Sequence, residues 1–107
     1  MNEARLTLLK AYLEEDPNDP FNYYAIATEY VQEAPETAKE YFDKLLSNFP
    51  DYLPTYFHAA QLYADYEDYE RAEVIYKEGI ALAERQKNTK TLRELQTAYQ
   101  NLLFEMD

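Results

Sequence analysis

Apolar residues recur at intervals of three and four from the start of the chain, and polar clusters containing proline cut that recurrence into segments. Leu6, Leu9, Tyr12 and Leu13 form a stripe that stops at Asp16-Pro17-Asn18-Asp19-Pro20, which predicts a first helix closing near Glu15. Asp19 is placed to cap a second helix, with Pro20 at its first position, where a missing N–H costs nothing. Its stripe of Tyr23, Ile26, Ala27, Tyr30 and Val31 extends the prediction to about Gln32. Pro35 opens a third helix carrying Ala38, Tyr41, Phe42, Leu45 and Leu46, and Asn48-Phe49-Pro50-Asp51 stops it. A fourth, beginning at Asp51 or a neighbour, turns Leu53, Tyr56, Ala59, Ala60 and Tyr63 to one side before the polar corner Asp65-Tyr66-Glu67-Asp68. A long fifth carries Ala72, Ile75, Tyr76, Ile80, Leu82 and Ala83. Asn88 or Thr89 caps a sixth containing Leu92, Leu95, Tyr99, Leu102 and Leu103. Gly79 falls inside the fifth, where glycine costs about 1 kcal/mol relative to alanine. Its presence predicts close approach by another helix.

Six helices with short corners fit either a closed bundle or a solenoid, and repetition decides between them. A spacing of 33 separates Tyr23 from Tyr56, Ala27 from Ala60, Tyr30 from Tyr63 and Pro17 from Pro50; a spacing of 34 separates Ala38 from Ala72, Phe42 from Tyr76 and Leu45 from Gly79. A helix hairpin cannot bury its apolar face alone, and stacking hairpins needs small residues where backbones meet. Ala27, Ala38, Ala60 and Ala72 are the expected contacts.

Tyr23-Ile26-Ala27-Tyr30 followed by Ala38-Phe42-Leu45-Pro50 resembles the tetratricopeptide repeat, and Tyr56-Ala59-Ala60-Tyr63 followed by Ala72-Tyr76-Gly79 repeats the resemblance. Leu45 departs from it where the family prefers a small residue. Glu84 stands where the terminal proline would fall, which predicts a fifth helix running to about Gln86. The resemblance implies an all-α fold, a short right-handed α-solenoid of antiparallel helix hairpins within one domain of residues 1–107. Two repeats, 20–50 and 53–86, would lie between an N-terminal helix, 1–16, and a C-terminal capping helix, 89–106.

The chain carries 21 acidic and 10 basic residues, a formal charge of −11, so nucleic acid and anionic membrane surfaces are disfavoured as partners and an apolar or basic protein segment is favoured. No cysteine is present, which removes disulfides, thiolate metal sites and thiol nucleophiles. With no signal-peptide pattern and no apolar run of bilayer length, the cytoplasm is the expected location. Catalytic chemistry has little to draw on. His58 is the single histidine and is read as a packing or surface residue. The carboxylates at Glu14-Glu15-Asp16 and Asp65-Tyr66-Glu67-Asp68 lack histidine partners and the spacing of a calcium loop. No enzyme activity, metal or cofactor is expected.

The resemblance implies instead a concave groove lined by the second, fourth and sixth helices and receiving a peptide or helix of a partner protein. Residues there that the repeat core does not use are Phe21, Tyr24, Thr28 and Val31, then Phe57, Gln61, Ala64 and Asp65, with Arg93 and Thr97 closing the groove. Tyr24 and Phe57 adjoin core tyrosines in sequence but point about 100° away around the helix, so their rings are expected to anchor a partner. Some family members hold the C-terminal carboxylate of chaperone peptides with lysine and asparagine on these faces. Tyr24, Thr28, Phe57 and Gln61 occupy the matching places here, which speaks against that ligand. The expected state is a monomer or weak homodimer. The alternative reading is a self-assembling unit that buries Leu6 and Leu9, or Leu95, Leu102, Leu103 and Phe104, against another copy.

Overall fold

Each proline-bearing polar cluster ends one helix and begins another, and the computed structural model, which describes residues 1–107, contains six helices and no strand. They are α1 (Glu3–Glu15), α2 (Pro20–Tyr30), α3 (Pro35–Asn48), α4 (Pro54–Asp65), α5 (Tyr69–Arg85) and α6 (Thr89–Met106). Contacts gather into two compact units, Met1–Thr55 and Tyr56–Asp107, whose boundary falls in the first turn of α4.

In the first unit, the Asn2 side chain caps α1 by accepting from the Arg5 N–H at 2.9 Å, and Asp19 caps α2 by accepting from Phe21 at 3.0 Å. Leu6 and Leu9 of α1 are buried with Ala25 and Ile26 of α2, and Leu13, Tyr30 and Tyr41 pack around them. Tyr12 departs from expectation: at 45% exposure it lies outside the core, because it sits at the margin of the arc centred on Leu6, Leu9 and Leu13. The buried Asn22 fixes the corner between the two helices, its amide donating to the carbonyls of Tyr12 at 3.3 Å and Asp16 at 3.1 Å. The helix α2 stops at Tyr30, two residues short of the expected end. Ala34 must leave the helical region before Pro35, and its φ is −141°. Ala34 N–H then donates to Tyr30 O at 2.8 Å, and α3 continues with Ala38, Phe42 and Leu45 fully buried.

The fourth helix starts at Pro54, not at Asp51. Leu53 precedes that proline, a position that disfavours helical backbone, and it is buried from outside the helix.

In the second unit, the corners after α4 and α5 are built alike. Glu67 and Lys87 adopt left-handed backbone, with φ of 63° and 58°. Around the first, Asp68 N–H donates to Tyr63 O and Glu67 N–H to Ala64 O; around the second, Asn88 donates to Ala83 O and Lys87 to Glu84 O. This is the Schellman arrangement, which satisfies the last free carbonyls of a helix. Asp68 and Asn88 then cap the next helix by accepting from Arg71 at 3.3 Å and Thr91 at 3.1 Å. As expected, α5 runs past the position of the missing proline, to Arg85, and Asn88 caps α6. The core of this unit is Tyr56, Ala59, Ala60, Leu62, Tyr63, Ala72, Ile75, Tyr76, Leu82, Ala83, Leu95 and Leu102. Gly79 of α5 lies against both flanking helices: a Cβ there would stand 2.6 Å from Tyr56 Cβ and 3.3 Å from Leu95 Cδ1.

Candidate functional site

Helical spacing places the candidate residues of the second unit on common faces. Phe57, Gln61, Ala64 and Asp65 recur at four, seven and eight residues along α4, and Arg93 and Thr97 lie one turn apart on α6. All six line a single cavity of about 540 Å³. Its remaining lining comes from Tyr76 of α5 and from Glu94, Ala98, Asn101, Leu102 and Glu105 of α6. Continuing the Arg93–Thr97 step by four gives Asn101 and Glu105, so the sequence carries a signal for these two. Tyr76 gives none, because its place in the repeat assigns it to packing.

The cavity has an apolar wall and an acidic rim. Phe57, Ala64, Ala98 and Leu102 supply the first; Asp65, Glu94 and Glu105 supply the second, with Arg93 as the one cation. Tyr76 is 3% exposed. Burial pushes its phenol pKa up to about 12, and the neighbouring carboxylates of Asp65 and Glu105 push the same way, so the hydroxyl stays protonated at ordinary pH and can both donate and accept. Tyr99 packs beside it at 6.2 Å and donates to Glu73 at 2.6 Å. Phe57 is half-buried, its ring edge-on to His58 at 5.6 Å. His58 has its imidazole pKa lowered by desolvation, and no group of three or more His, Asp or Glu side chains is placed to hold a metal ion.

The four candidates of the first unit are differently placed. Phe21 is half exposed and meets Tyr24 at 6.4 Å between ring centroids. Tyr24 is partly covered rather than open, because the Tyr52 ring stands edge-on to it at 5.8 Å. Sequence reasoning misses Tyr52, which falls in the connection before α4. The Thr28 hydroxyl donates to Ala25 O at 2.9 Å, the usual back-bond of a helical threonine, and Val31 sits just beyond the last residue of α2.

No protein-family model matches the sequence, and no curated protein matches it. Solved structures do. A solution NMR structure of a tetratricopeptide repeat domain protein from Salinibacter ruber is 35% identical, over 81% of this chain and 89% of its own, with a TM-score of 0.76. A crystal structure of a tetratricopeptide repeat domain protein from the same organism is 34% identical, over 78% and 96%, with a TM-score of 0.75. A solution structure of a protein from Bordetella parapertussis shares the fold at 19% identity, over 94% and 88%, with a TM-score of 0.78. The chain belongs to the tetratricopeptide repeat family, and its class is an all-α solenoid of helical hairpins. Membership supports a protein-interaction scaffold in general.

Proposed function

We propose that this protein is a non-enzymatic scaffold that binds a peptide or helix of a partner protein through the exposed faces of α2, α4 and α6. The observation that carries the reading is that the six residues of α4 and α6 that the sequence pattern assigns to a groove line one cavity of about 540 Å³, the size of a small-ligand or side-chain pocket. Phe21, Tyr24, Thr28 and Val31 of α2 are proposed to meet the same partner, and the chain is proposed to be one domain divided into 1–16, 20–50, 53–86 and 89–106. An acidic chain of net charge −11 favours an apolar or basic partner segment and disfavours nucleic acid. No helix is long and apolar enough to cross a membrane, and the lack of cysteine suits the reducing cytoplasm.

The test is site-specific photocrosslinking in a lysate of the source cells, with a benzoylphenylalanine at Gln61, at Thr97 or, as a control, at the exposed Glu36 of α3. One protein crosslinked from positions 61 and 97 and absent from 36 supports the groove. The same products from all three positions would remove it.

Self-assembly is a second reading, favoured by Phe104, which is 71% exposed at the end of α6. The other residues expected to stack are not available: Leu6, Leu9, Leu95 and Leu102 are buried, leaving Leu103 and Phe104. A mass that rises with concentration in wild type but not in Phe104→Ser would establish it.

A further inference from the structure

Four features converge on the cavity of the second unit. Three carboxylates, Asp65, Glu94 and Glu105, face one guanidinium, Arg93, and none of the three is used in an ion pair within the chain; those pairs employ Glu29, Glu33, Glu36 and Glu73 instead. Tyr76 is nearly all buried, yet it lines the cavity, and its hydroxyl has no hydrogen-bond partner within the chain. The hydroxyl therefore opens onto the cavity, where water or an incoming polar group can bond it. The wall of Phe57, Ala98 and Leu102 is apolar, which a hydrated metal ion cannot use, and no three ligating side chains are gathered for one.

A cation on an apolar stem fits all four. We propose that the cavity receives one lysine or arginine side chain of the partner protein, its methylenes against Phe57, Ala98 and Leu102 and its charged head between Asp65 and Glu105, donating to the Tyr76 hydroxyl oxygen. The inference rests on the reading of this cavity as a binding surface and adds the chemistry of what enters it. Long basic side chains lay their stems on apolar surface while keeping the head on polar groups. An aromatic face such as Phe57 adds attraction for a cation brought above it.

The experiment uses four pools of blocked octapeptides, randomised except for one central position fixed as lysine, arginine, norleucine or glutamate. Binding to the whole chain is followed by amide shifts of Phe57, Gln61, Tyr76 and Glu105 and by titration at low and high salt. The lysine and arginine pools should bind about tenfold more tightly than the norleucine pool, and added salt should shrink the difference. Asp65→Asn combined with Glu105→Gln, both at solvent-exposed positions, should bring all four pools to within about twofold of one another while leaving the melting temperature unchanged. Norleucine binding as tightly as lysine and arginine overturns the cation inference and leaves the groove standing. No shift at these residues with any pool overturns both. A wild-type homodimer that dissociates on the same double substitution assigns the site to another copy and overturns the separate partner.

Discussion

Gly79 and Tyr56 meet so closely that a Cβ added to the glycine would fall 2.6 Å from the Cβ of the tyrosine. The atom in the way lies at the root of a side chain, so no rotamer change relieves it. Gly79→Ala gains about 1 kcal/mol of helix propensity but should lose more than that to overpacking, a net destabilisation of about 1–2 kcal/mol by urea denaturation. A more stable alanine variant would mean that α4 and α5 separate easily.

Ala27 and Ala60 occupy equivalent, fully buried positions in the two repeats. Tryptophan at either should cost several kcal/mol through overpacking, whereas Ala64→Ser, on the cavity wall, should melt within a degree or two of wild type. Equal melting temperatures for all three variants would contradict these contacts.

Glu67 and Lys87 hold left-handed backbone at the ends of α4 and α5, a conformation that glycine adopts without strain. Glu67→Gly and Lys87→Gly should each stabilise by about 1 kcal/mol, and the two gains should add, because they lie in separate corners. Chemical denaturation of both single variants and the double variant reads this directly.

The Thr55 hydroxyl is completely buried and makes no hydrogen bond. Replacing it by a methyl group in Thr55→Val should raise stability by about 1 kcal/mol, since an unsatisfied group is removed at nearly constant shape. A loss of that size would reveal a partner for the oxygen, such as a bound water.

Tyr76 titrates near 12 in the folded chain, against an ordinary value near 10. The folded state therefore holds its proton more tightly than the unfolded state. The stability this contributes is complete below pH about 10 and is lost as pH rises from about 10 to about 12. Wild type should lose stability across that window more steeply than Tyr76→Phe, as followed by urea midpoints; parallel curves would place the phenol in water.

Much of the fold is legible in the sequence because solenoid packing writes itself in small residues. Ala27, Ala38, Ala60 and Ala72 are all fully buried, and Gly79 announces a close helix contact by being costly where it stands. The residues that escape are those whose neighbours lie far along the chain. Tyr52 covers Tyr24 from a connection that carries no periodicity, and Tyr76 has the spacing of every other core tyrosine, with nothing in that spacing to place Asp65 and Glu105 beside it. The start of α4 is misleading because Asp51 is a good cap by type, whereas Pro54 decides where helical backbone can begin. The left-handed residues are hidden for a simpler reason: neither corner contains the glycine that usually marks them.

Those two corners also constrain how the molecule can change. In Tyr66-Glu67-Asp68 and Gln86-Lys87-Asn88, the last residue serves both the helix behind it and the helix ahead of it. One inserted residue would break both connections at once, so the joints are fixed in length, and Asp68 and Asn88 are held to side chains that can cap. Val31–Glu33 is different, closed by one backbone bond from Ala34 to Tyr30. Descendants of this chain can grow there, in the first hairpin, while the second keeps its measure.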